Sequence, residues 1–362
     1  MQLAGDQSTG LSLPLDEIRL GDCAELLASL PPECVDLIVS SPPYNLGKEY
    51  ESRRALEVYI DAQRRVLAEC TRVLKQSGSI FWQVGSFAEN GVIVPLDIRM
   101  FPILESLGLV PRNRIVWARQ HGLHASRKFS CRYETVLWFT KSDDYFFNLD
   151  TIRVPQKYKN KKSYRGDRRG KLSCHPGGKN PGDIWLFRNV KHNHEEQTIH
   201  PCQFPEDMIA RIILSTTVEG HVVLDPYMGS GTVAVVARDL RRHFIGAELD
   251  PNYHSVASRR LNGEPDESDT FPNLKTLRDY CDRNAKPVTA YRFDVQVGES
   301  PTDRSLARIY PEEHHLWQME DRLAYEEAAF SADLRNQERP VDRDLNGRRR
   351  RTGPSPFDRK AD

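Results

Sequence analysis

Short apolar segments typical of β-strands alternate with amphipathic helical segments through the first 261 residues, and this alternation is the strongest constraint on the fold. Val35–Val39 predicts a buried strand, apolar residues at helical spacing follow from Leu56 to Leu74, and Ser79–Val84 predicts the next strand. The same order returns between Val222 and Leu261. Strands joined by helices pair in parallel, so we expect an α/β fold with a mainly parallel, twisted sheet and helices on both faces.

The other predicted elements extend this pattern. Further strands are predicted over Ile18–Leu20, Arg114–Ala118, Thr135–Thr140, Val222–Leu224 and Phe244–Glu248, and further helices over Cys23–Leu30, Pro95–Leu107, Phe204–Ser215, Val233–Leu240 and Asn252–Leu261. No helical pattern clearly separates Arg114–Ala118 from Thr135–Thr140, so we expect these two strands to pair antiparallel. Gly78 is predicted to end the helix that begins near Leu56.

The 362-residue chain has a formal net charge of zero, but its basic residues are unevenly distributed. Residues 151–191 contain 12 Lys and Arg against 2 Asp and Glu and lose all periodicity, which predicts a basic insertion or loop. Such a segment in a neutral protein indicates a local contact with a polyanion. We assign residues 1–150 and 192–261 to two halves of one domain. For residues 262–362 we predict a charged extension with one helix over Glu312–Arg335 and disorder from Gln337 onwards.

Several classes of protein are excluded. No long uncharged apolar run is present, which argues against a membrane span, and the first 14 residues lack the pattern of a signal peptide. Seven scattered cysteines without a CxxC pair are not a disulfide framework, so we expect a cytoplasmic protein. The histidines and cysteines between positions 174 and 202 match no standard zinc spacing, and we expect no metal.

A glycine-containing turn, residues 225–232 with the sequence DPYMGSGT, follows the strand Val222–Leu224 and leads into the next helix. Glycines at such a turn let a ligand approach the backbone at the carboxyl edge of a sheet. Glu248 lies 19 positions after Gly229, where nucleotide-binding α/β units place the carboxylate that accepts a ribose hydroxyl. Ala234 replaces the third glycine of the dinucleotide fingerprint, and the P-loop lysine is absent, which favours an adenosine without phosphates.

Two consecutive prolines stop the strand Val35–Val39 at a turn formed by Ser41, Pro42, Pro43 and Tyr44, here called the Ser-Pro-Pro-Tyr turn. Prolines carry no N–H, so the carbonyl groups of the turn can face outward; Ser41 adds a hydroxyl acceptor and Tyr44 a flat face for a base. Two acceptors that hold the N–H bonds of an exocyclic amine would localise its lone pair for attack on an electrophilic methyl group. The alternative is a purely structural turn or cis-proline.

The Ser-Pro-Pro-Tyr turn, the glycine turn and the segment Ala247–Tyr253 together resemble the motifs of DNA amino-methyltransferases that use S-adenosylmethionine. The order, with the catalytic turn first, the basic segment in the middle and the cofactor turn last, resembles the circularly permuted β class. Tyr227 stands where that family usually has Phe. The resemblance covers residues 18–261 and implies a Rossmann-like methyltransferase fold, S-adenosylmethionine as cofactor and double-stranded DNA as partner.

The resemblance also implies a role for each motif residue. Cofactor binding is implied for Asp22, Cys23, His200, Pro201, Phe204, Asp225, Pro226, Gly229, Ser230, Gly231, Thr232, Glu248 and Leu249. The Ser-Pro-Pro-Tyr turn would orient the target amine, and Ser rather than Asp at position 41 resembles the cytosine-N4 branch. DNA contacts are predicted for Asn45, Lys157, Lys159, Lys161, Lys162, Arg165, Arg168, Arg169 and Lys171.

A paired base cannot reach such a site, so the target must be flipped out of the duplex, where Tyr44 would stack on it. The implied activity is site-specific methylation of cytosine N4 by direct transfer, without a covalent enzyme intermediate. We expect a restriction-modification system with a cognate endonuclease, and a monomer or a dimer.

Other interpretations remain open. The segment Pro201-Cys202-Gln203 mimics the nucleophile of cytosine-C5 methyltransferases, but it precedes a helix rather than following a strand. We therefore expect Cys202 to be a small packed residue. An adenine-N6 methyltransferase of the same fold, a catalytically inactive DNA-binding relative, a Rossmann-type oxidoreductase and an enzyme acting on RNA or a protein amine are the alternatives. The incomplete glycine pattern argues against the oxidoreductase.

Overall fold

The computed structural model describes residues 12–47, 51–89, 92–119, 125–156, 158, 161–191, 194 and 196–263, with the backbone alone at 87–89. Our predictions of a helix over Glu312–Arg335, of disorder from Gln337 and of DNA contacts by Lys157 and Lys159 lie outside the described residues. Among the described residues, no helix is both long and apolar enough to cross a bilayer.

The described residues form ten strands and six α-helices, and the elements that the periodicity predicts occur in the expected order. The strands are β1 Glu17–Leu20, β2 Val35–Ser40, β3 Leu74–Val84, β4 Ser86–Glu89, β5 Val92–Pro95, β6 Val110–Ala118, β7 Tyr133–Thr140, β8 Ile184–Leu186, β9 Val222–Asp225 and β10 His243–Glu248. The helices are α1 Cys23–Ser29, α2 Leu56–Val73, α3 Leu96–Ser106, α4 Glu206–Thr216, α5 Thr232–Asp239 and α6 Pro251–Asn262.

Eight strands form one sheet in the order β1-β10-β9-β2-β3-β7-β6-β8, and β4 and β5 form a separate two-stranded sheet. Every neighbouring pair up to β3 is parallel, and β6 and β8 are also parallel to each other. Strand β7 runs antiparallel to β6, as predicted, and also runs antiparallel to β3. The carboxyl ends of seven strands therefore meet at one edge of the sheet, together with the amino end of β7.

Strand β2 lies near the middle of the sheet, and all six of its residues are buried. Ile38 belongs to one core cluster, which includes Leu67 of α2. Leu37 and Val39 belong to a second cluster, which includes Met208 of α4 and Val236 of α5. Since successive strand residues face opposite sides of a sheet, helices cover both faces. The α/β architecture expected from the alternation is confirmed.

The prediction that Gly78 ends helix α2 is wrong. The helix ends at Val73, and Leu74 already pairs with Val35 of the neighbouring strand. Gly78 lies inside β3, where a Cβ atom would come within 2.6 Å of the Leu74 side chain. This glycine therefore accommodates the irregular start of the strand and has no role in ending the helix.

The segment predicted to be a loop is mainly irregular, with two corrections to our sequence prediction. Residues Ile184–Leu186 form strand β8, which pairs with the carboxyl end of β6. Isolated bridges join Val154 to Lys179 and Lys162 to Leu172, so the basic segment folds back on itself. The hairpin of β4 and β5 was also missed, because two four-residue strands leave little periodicity to detect.

Candidate active site at the carboxyl edge of the sheet

The glycine turn begins where β9 ends and has a shape that only small residues allow. Gly229 and Gly231 both have left-handed backbones, with φ of 55° and 79°. A Cβ atom on Gly231 would lie 2.7 Å from Cβ of Ala257, and one on Gly229 would lie 3.1 Å from Nε2 of His200. The turn thus brings bare backbone to the edge of the sheet.

Glu248, at the end of β10, is hydrogen-bonded directly to the glycine turn. One carboxylate oxygen accepts from the N–H of Gly229 at 2.7 Å, and the other accepts from the N–H of Asp250 at 2.8 Å. Burial raises the pKa of this carboxyl group above its ordinary value. Each oxygen of a carboxylate has a further acceptor position, so Glu248 can still receive a ribose hydroxyl. The neighbouring Leu249 is 69% exposed.

Asp225 connects the end of β9 to the end of β2. Its carboxyl group is buried and accepts hydrogen bonds from the Ser40 hydroxyl at 2.6 Å and from the N–H of Tyr227 at 3.0 Å. Burial raises its pKa to about 7. The two predicted motifs therefore lie on neighbouring strands, since β2 and β9 pair directly.

Asp22 lies at the end of β1, beside Glu248. The register pairs Leu20 with Glu248, and the N–H of Gly21 donates to the Glu248 carbonyl at 2.9 Å. Asp22 caps helix α1 by accepting from the N–H of Ala24 at 2.8 Å. The next residue, Cys23, is buried, and burial raises the pKa of its thiol to about 12, so this cysteine remains a neutral packing group.

The segment around His200 lies over the glycine turn. The His200 ring contacts the ring of Tyr253 edge-on, with centroids 4.5 Å apart. Phe204 packs against the second core cluster. Cys202 is exposed, so our expectation of a small packed residue is wrong. The burial was misjudged because the segment is held by the Gln203 side chain, which accepts from the N–H of Thr198 and donates to the Glu196 carbonyl, and not by packing of position 202.

A buried ion pair that sequence reasoning missed supports the glycine turn from behind. Arg260 of α6 is 3% exposed, donates to the Ser230 carbonyl at 2.6 Å and to the Thr232 hydroxyl at 3.0 Å, and pairs with Glu206 at 2.9 Å. A sequence signal existed, because Arg260 falls four positions after the buried Val256 on the packed face of the helix.

The Ser-Pro-Pro-Tyr turn follows β2 at the same edge of the sheet, and the described chain contains no cis peptide bond. The Ser41 hydroxyl donates to Oε1 of Gln83 at 2.6 Å, and the Tyr44 hydroxyl donates to the same oxygen at 2.5 Å. The Pro43 carbonyl accepts from the Tyr59 hydroxyl at 2.8 Å. Our prediction that the carbonyls of the turn face outward is therefore wrong for Pro43.

Gln83 and Glu134, which no motif marked, complete the surroundings of Tyr44. The Gln83 amide nitrogen donates to a carboxylate oxygen of Glu134, and the Tyr44 hydroxyl lies 3.1 Å from the same oxygen. Arg119 pairs with the other carboxylate oxygen at 2.9 Å. Burial, followed by the charge of Glu134, raises the pKa of Tyr44 well above its ordinary value, so its hydroxyl stays protonated.

The candidate DNA contacts fall into two groups. Asn45 is 3% exposed, and its side-chain amide bonds the backbone of Arg54 in both directions. It closes a loop in this conformation, which contradicts our prediction of a DNA contact. The predicted DNA contacts in the insertion that the structure describes are all exposed, and Tyr158 and Tyr164 in the same segment are 63% and 81% exposed. They are Lys161, Lys162, Arg165, Arg168, Arg169 and Lys171.

Known proteins of similar sequence and structure identify the family of this chain. Residues 35–259 match the model of a DNA methylase family whose members act on N6 or N4 amines. The chain belongs to this family. It is 55% identical over 315 residues to the type II methyltransferase M.BglII of Bacillus subtilis, covering 86% of this chain and 87% of that protein.

Two further similar proteins carry names that state different target bases. The chain is 35% identical over 248 residues to the DNA adenine methyltransferase YhdJ of Escherichia coli K12, covering 67% of this chain and 81% of that protein. Among solved structures, the PvuII DNA methyltransferase (cytosine-N4-specific) superposes with a TM-score of 0.54 at 20% identity. That match covers 74% of this chain and 92% of the other, and it confirms the Rossmann-like methyltransferase fold.

The methyl donor of this DNA methylase is S-adenosylmethionine, and the site fits such a group. The left-handed glycines of the turn present backbone without side chains beside Glu248, which offers hydrogen-bond acceptors. The predicted residues Asp22, Gly229, Glu248 and Ser41 all gather at the ends of four consecutive sheet strands, β1, β9, β10 and β2. Which part of the cofactor or substrate each of these residues binds remains a prediction.

Proposed function

We propose that this DNA methylase transfers a methyl group to the exocyclic N4 amine of cytosine in duplex DNA, within a restriction-modification system. The observation that carries the proposal is the Ser41 hydroxyl, which donates its only proton to Gln83. Its lone pairs are then acceptors, and an exocyclic amine is a donor. Ser rather than Asp at this position favours cytosine N4 over adenine N6.

The cofactor would be held by the residues gathered at the carboxyl edge. The glycine turn would cradle it, Glu248 would accept a ribose hydroxyl, and Asp22 would lie near its adenine. Bound S-adenosylmethionine supplies an electrophilic methyl group on a sulfonium. Leu249, which is 69% exposed beside Glu248, would pack against an apolar part of it.

The catalytic work of the protein is positioning. Ser41 and the Pro42 carbonyl would accept the two N–H bonds of the target amine, so that its lone pair localises on nitrogen and points at the methyl carbon. Methyl transfer would then be a direct in-line displacement, in which the new N–C bond forms as the S–C bond of the sulfonium breaks, S-adenosylhomocysteine leaves, and the amine releases one proton to solvent. Alignment of this kind supplies most of the rate in reactions without a covalent enzyme intermediate.

DNA would be bound by the exposed basic insertion and by the loop that precedes β7. The insertion offers Arg165, Arg168 and Arg169 for phosphate contacts, and its exposed tyrosines are suited to stacking. The target base must leave the duplex, and Tyr44, which is half-buried, would lie against it. A cognate restriction endonuclease is the expected partner, and the enzyme would act as a monomer or a dimer.

A second candidate is adenine-N6 methylation, which the name of the YhdJ relative favours. The test is mass spectrometry of nucleosides from the DNA of cells that express this chain, with Ser41→Ala as the control. A 4-methylcytosine signal absent from the control supports the proposal. A 6-methyladenine signal replaces cytosine by adenine as the target, and the absence of any modified base favours the inactive DNA-binding relative.

A further inference from the structure

Four polar side chains form a continuous line across the carboxyl edge of the sheet, each supplied by a different strand. Ser41 follows β2, Gln83 is near the end of β3, Glu134 is near the start of β7, and Arg119 follows β6. These strands are consecutive neighbours in the sheet. The line runs from an ion pair at one end to the candidate amine-binding hydroxyl at the other.

The direction of every hydrogen bond in this line is set by the carboxylate. An ionised carboxylate can only accept, so Gln83 must turn its NH₂ group toward Glu134. The amide oxygen of Gln83 then faces Ser41 and Tyr44 and accepts from both hydroxyls, at 2.6 and 2.5 Å. The Ser41 oxygen is thereby left with lone pairs alone for a ligand.

The surroundings keep this arrangement rigid. Gln83 is 3% exposed, and the side chains of Glu134 and Arg119 are each 17% exposed, so solvent cannot replace their partners easily. Arg119 holds the second oxygen of Glu134 at 2.9 Å, which fixes the carboxylate in place. Without a carboxylate at position 134, the Gln83 amide could turn over and offer its NH₂ group to Ser41.

We infer that Glu134 is a positioning residue that, through Gln83, makes Ser41 an obligate hydrogen-bond acceptor and so selects a substrate with an exocyclic amine. The inference rests on the proposed amine methylation but concerns a residue that lies three hydrogen bonds from the substrate. It applies equally to cytosine N4 and adenine N6, because both groups donate N–H bonds.

The test compares Glu134→Gln with the exchanged pair Gln83→Glu/Glu134→Gln in the full chain. In the single variant the amide orientation is no longer dictated, and we expect kcat to fall on the order of 100-fold with little change in KM for S-adenosylmethionine. In the exchanged pair, a carboxylate at position 83 again accepts from Ser41 and Tyr44, and residue 134 donates to it. We expect this pair to recover most of the lost kcat.

Two controls separate positioning from folding. Thermal denaturation and calorimetric binding of S-adenosylmethionine are measured on all three proteins, since a merely structural defect would lower both. If Glu134→Gln does not fold, an exchanged pair that folds and methylates still supports the inference. A folded Glu134→Gln protein with the kcat of the wild type, or an exchanged pair no more active than that single variant, overturns it.

The product of the wild type is identified first, so that failure of the two proposals can be told apart. A wild type that makes 6-methyladenine overturns the cytosine assignment and leaves the inference to be decided by the variants. A wild type that modifies no DNA base overturns both. An active wild type with insensitive variants overturns only the inference about Glu134.

Discussion

The Ser40 hydroxyl donates a 2.6 Å hydrogen bond to the carboxyl group of Asp225, and both side chains are buried. Ser40 immediately precedes the Ser-Pro-Pro-Tyr turn, and Asp225 begins the glycine turn. The contact therefore joins the turn that would hold the amine to the turn that would hold the methyl donor. Reacting groups must be aligned closely for direct transfer, so this bond bears on catalysis as well as on stability.

The stability of the protein should depend on pH through Asp225. Burial raises the pKa of this carboxyl group from 3.8 to about 7. A group with a higher pKa in the folded state binds its proton more tightly there. Its contribution to the free energy of unfolding is therefore greatest at low pH and is lost as the pH rises from about 4 to about 7. We expect Asp225→Asn to remove this loss of stability with rising pH, and melting temperatures measured across the same pH range provide the check. Identical pH profiles of the two proteins would contradict the raised pKa.

Gly231→Ala should destabilise the fold by about 2 kcal/mol, because it combines a left-handed backbone with a clash. The backbone φ is 79°, and the new Cβ would lie 2.7 Å from Cβ of Ala257. Gly220→Ala is a matched control, with a φ of 82° and nothing within 4 Å of its Cβ position. Denaturant unfolding should show a smaller loss for the control. Equal losses would mean that contact with α6 is unimportant.

Gly85→Ala should impair activity while leaving the fold stable. The added Cβ would lie 2.8 Å from Cε2 of Tyr44, and an aromatic ring at the end of a rotatable side chain moves more easily than a strand. We expect a fall in kcat of roughly tenfold to a hundredfold, since small displacements of positioning groups cost this much. Methylation kinetics and a thermal melt on the same sample provide the check. Unchanged kcat would show that the position of Tyr44 is not critical.

Phe129 should enter the DNA stack when the target base is extruded. It is 99% exposed, its neighbours Arg127 and Lys128 are also exposed, and its loop leads into β7 at the catalytic edge. Apolar side chains flanked by basic residues act as wedges between base steps. We expect Phe129→Ala to lower kcat/KM on a duplex with a paired target, and a mismatch opposite the target to restore it, because the unpairing cost is then smaller.

The control for this prediction is Tyr164→Ala, which removes an aromatic ring that is 81% exposed from the basic insertion. We expect that variant to show no rescue by a mismatch. A Phe129→Ala protein that is equally impaired on paired and mismatched duplexes would assign Phe129 to general DNA affinity instead of base extrusion.

The elements of the fold could be predicted because their signals are local. Apolar spacing along Leu56–Val73 and the run Val35–Ser40 are properties of neighbouring residues, and prolines and glycines act on their own backbone. The same holds for the two turns, whose residue types are recognisable without any knowledge of their surroundings. The mistake at Gly78 arose where a glycine served a packing contact instead of a helix end.

What the tertiary structure alone decided is which side chains meet. Gln83 and Glu134 are 51 positions apart in the chain and come together only because β3 and β7 are antiparallel neighbours. The pairing of Arg260 with Glu206 joins helices α6 and α4, and this contact and the exposure of Cys202 likewise depend on tertiary packing. The sequence determined the elements and their turns, because backbone preferences and side-chain periodicity are local. Strand order and register determined the hydrogen-bonded line behind Ser41, because such contacts depend on the whole folded sheet.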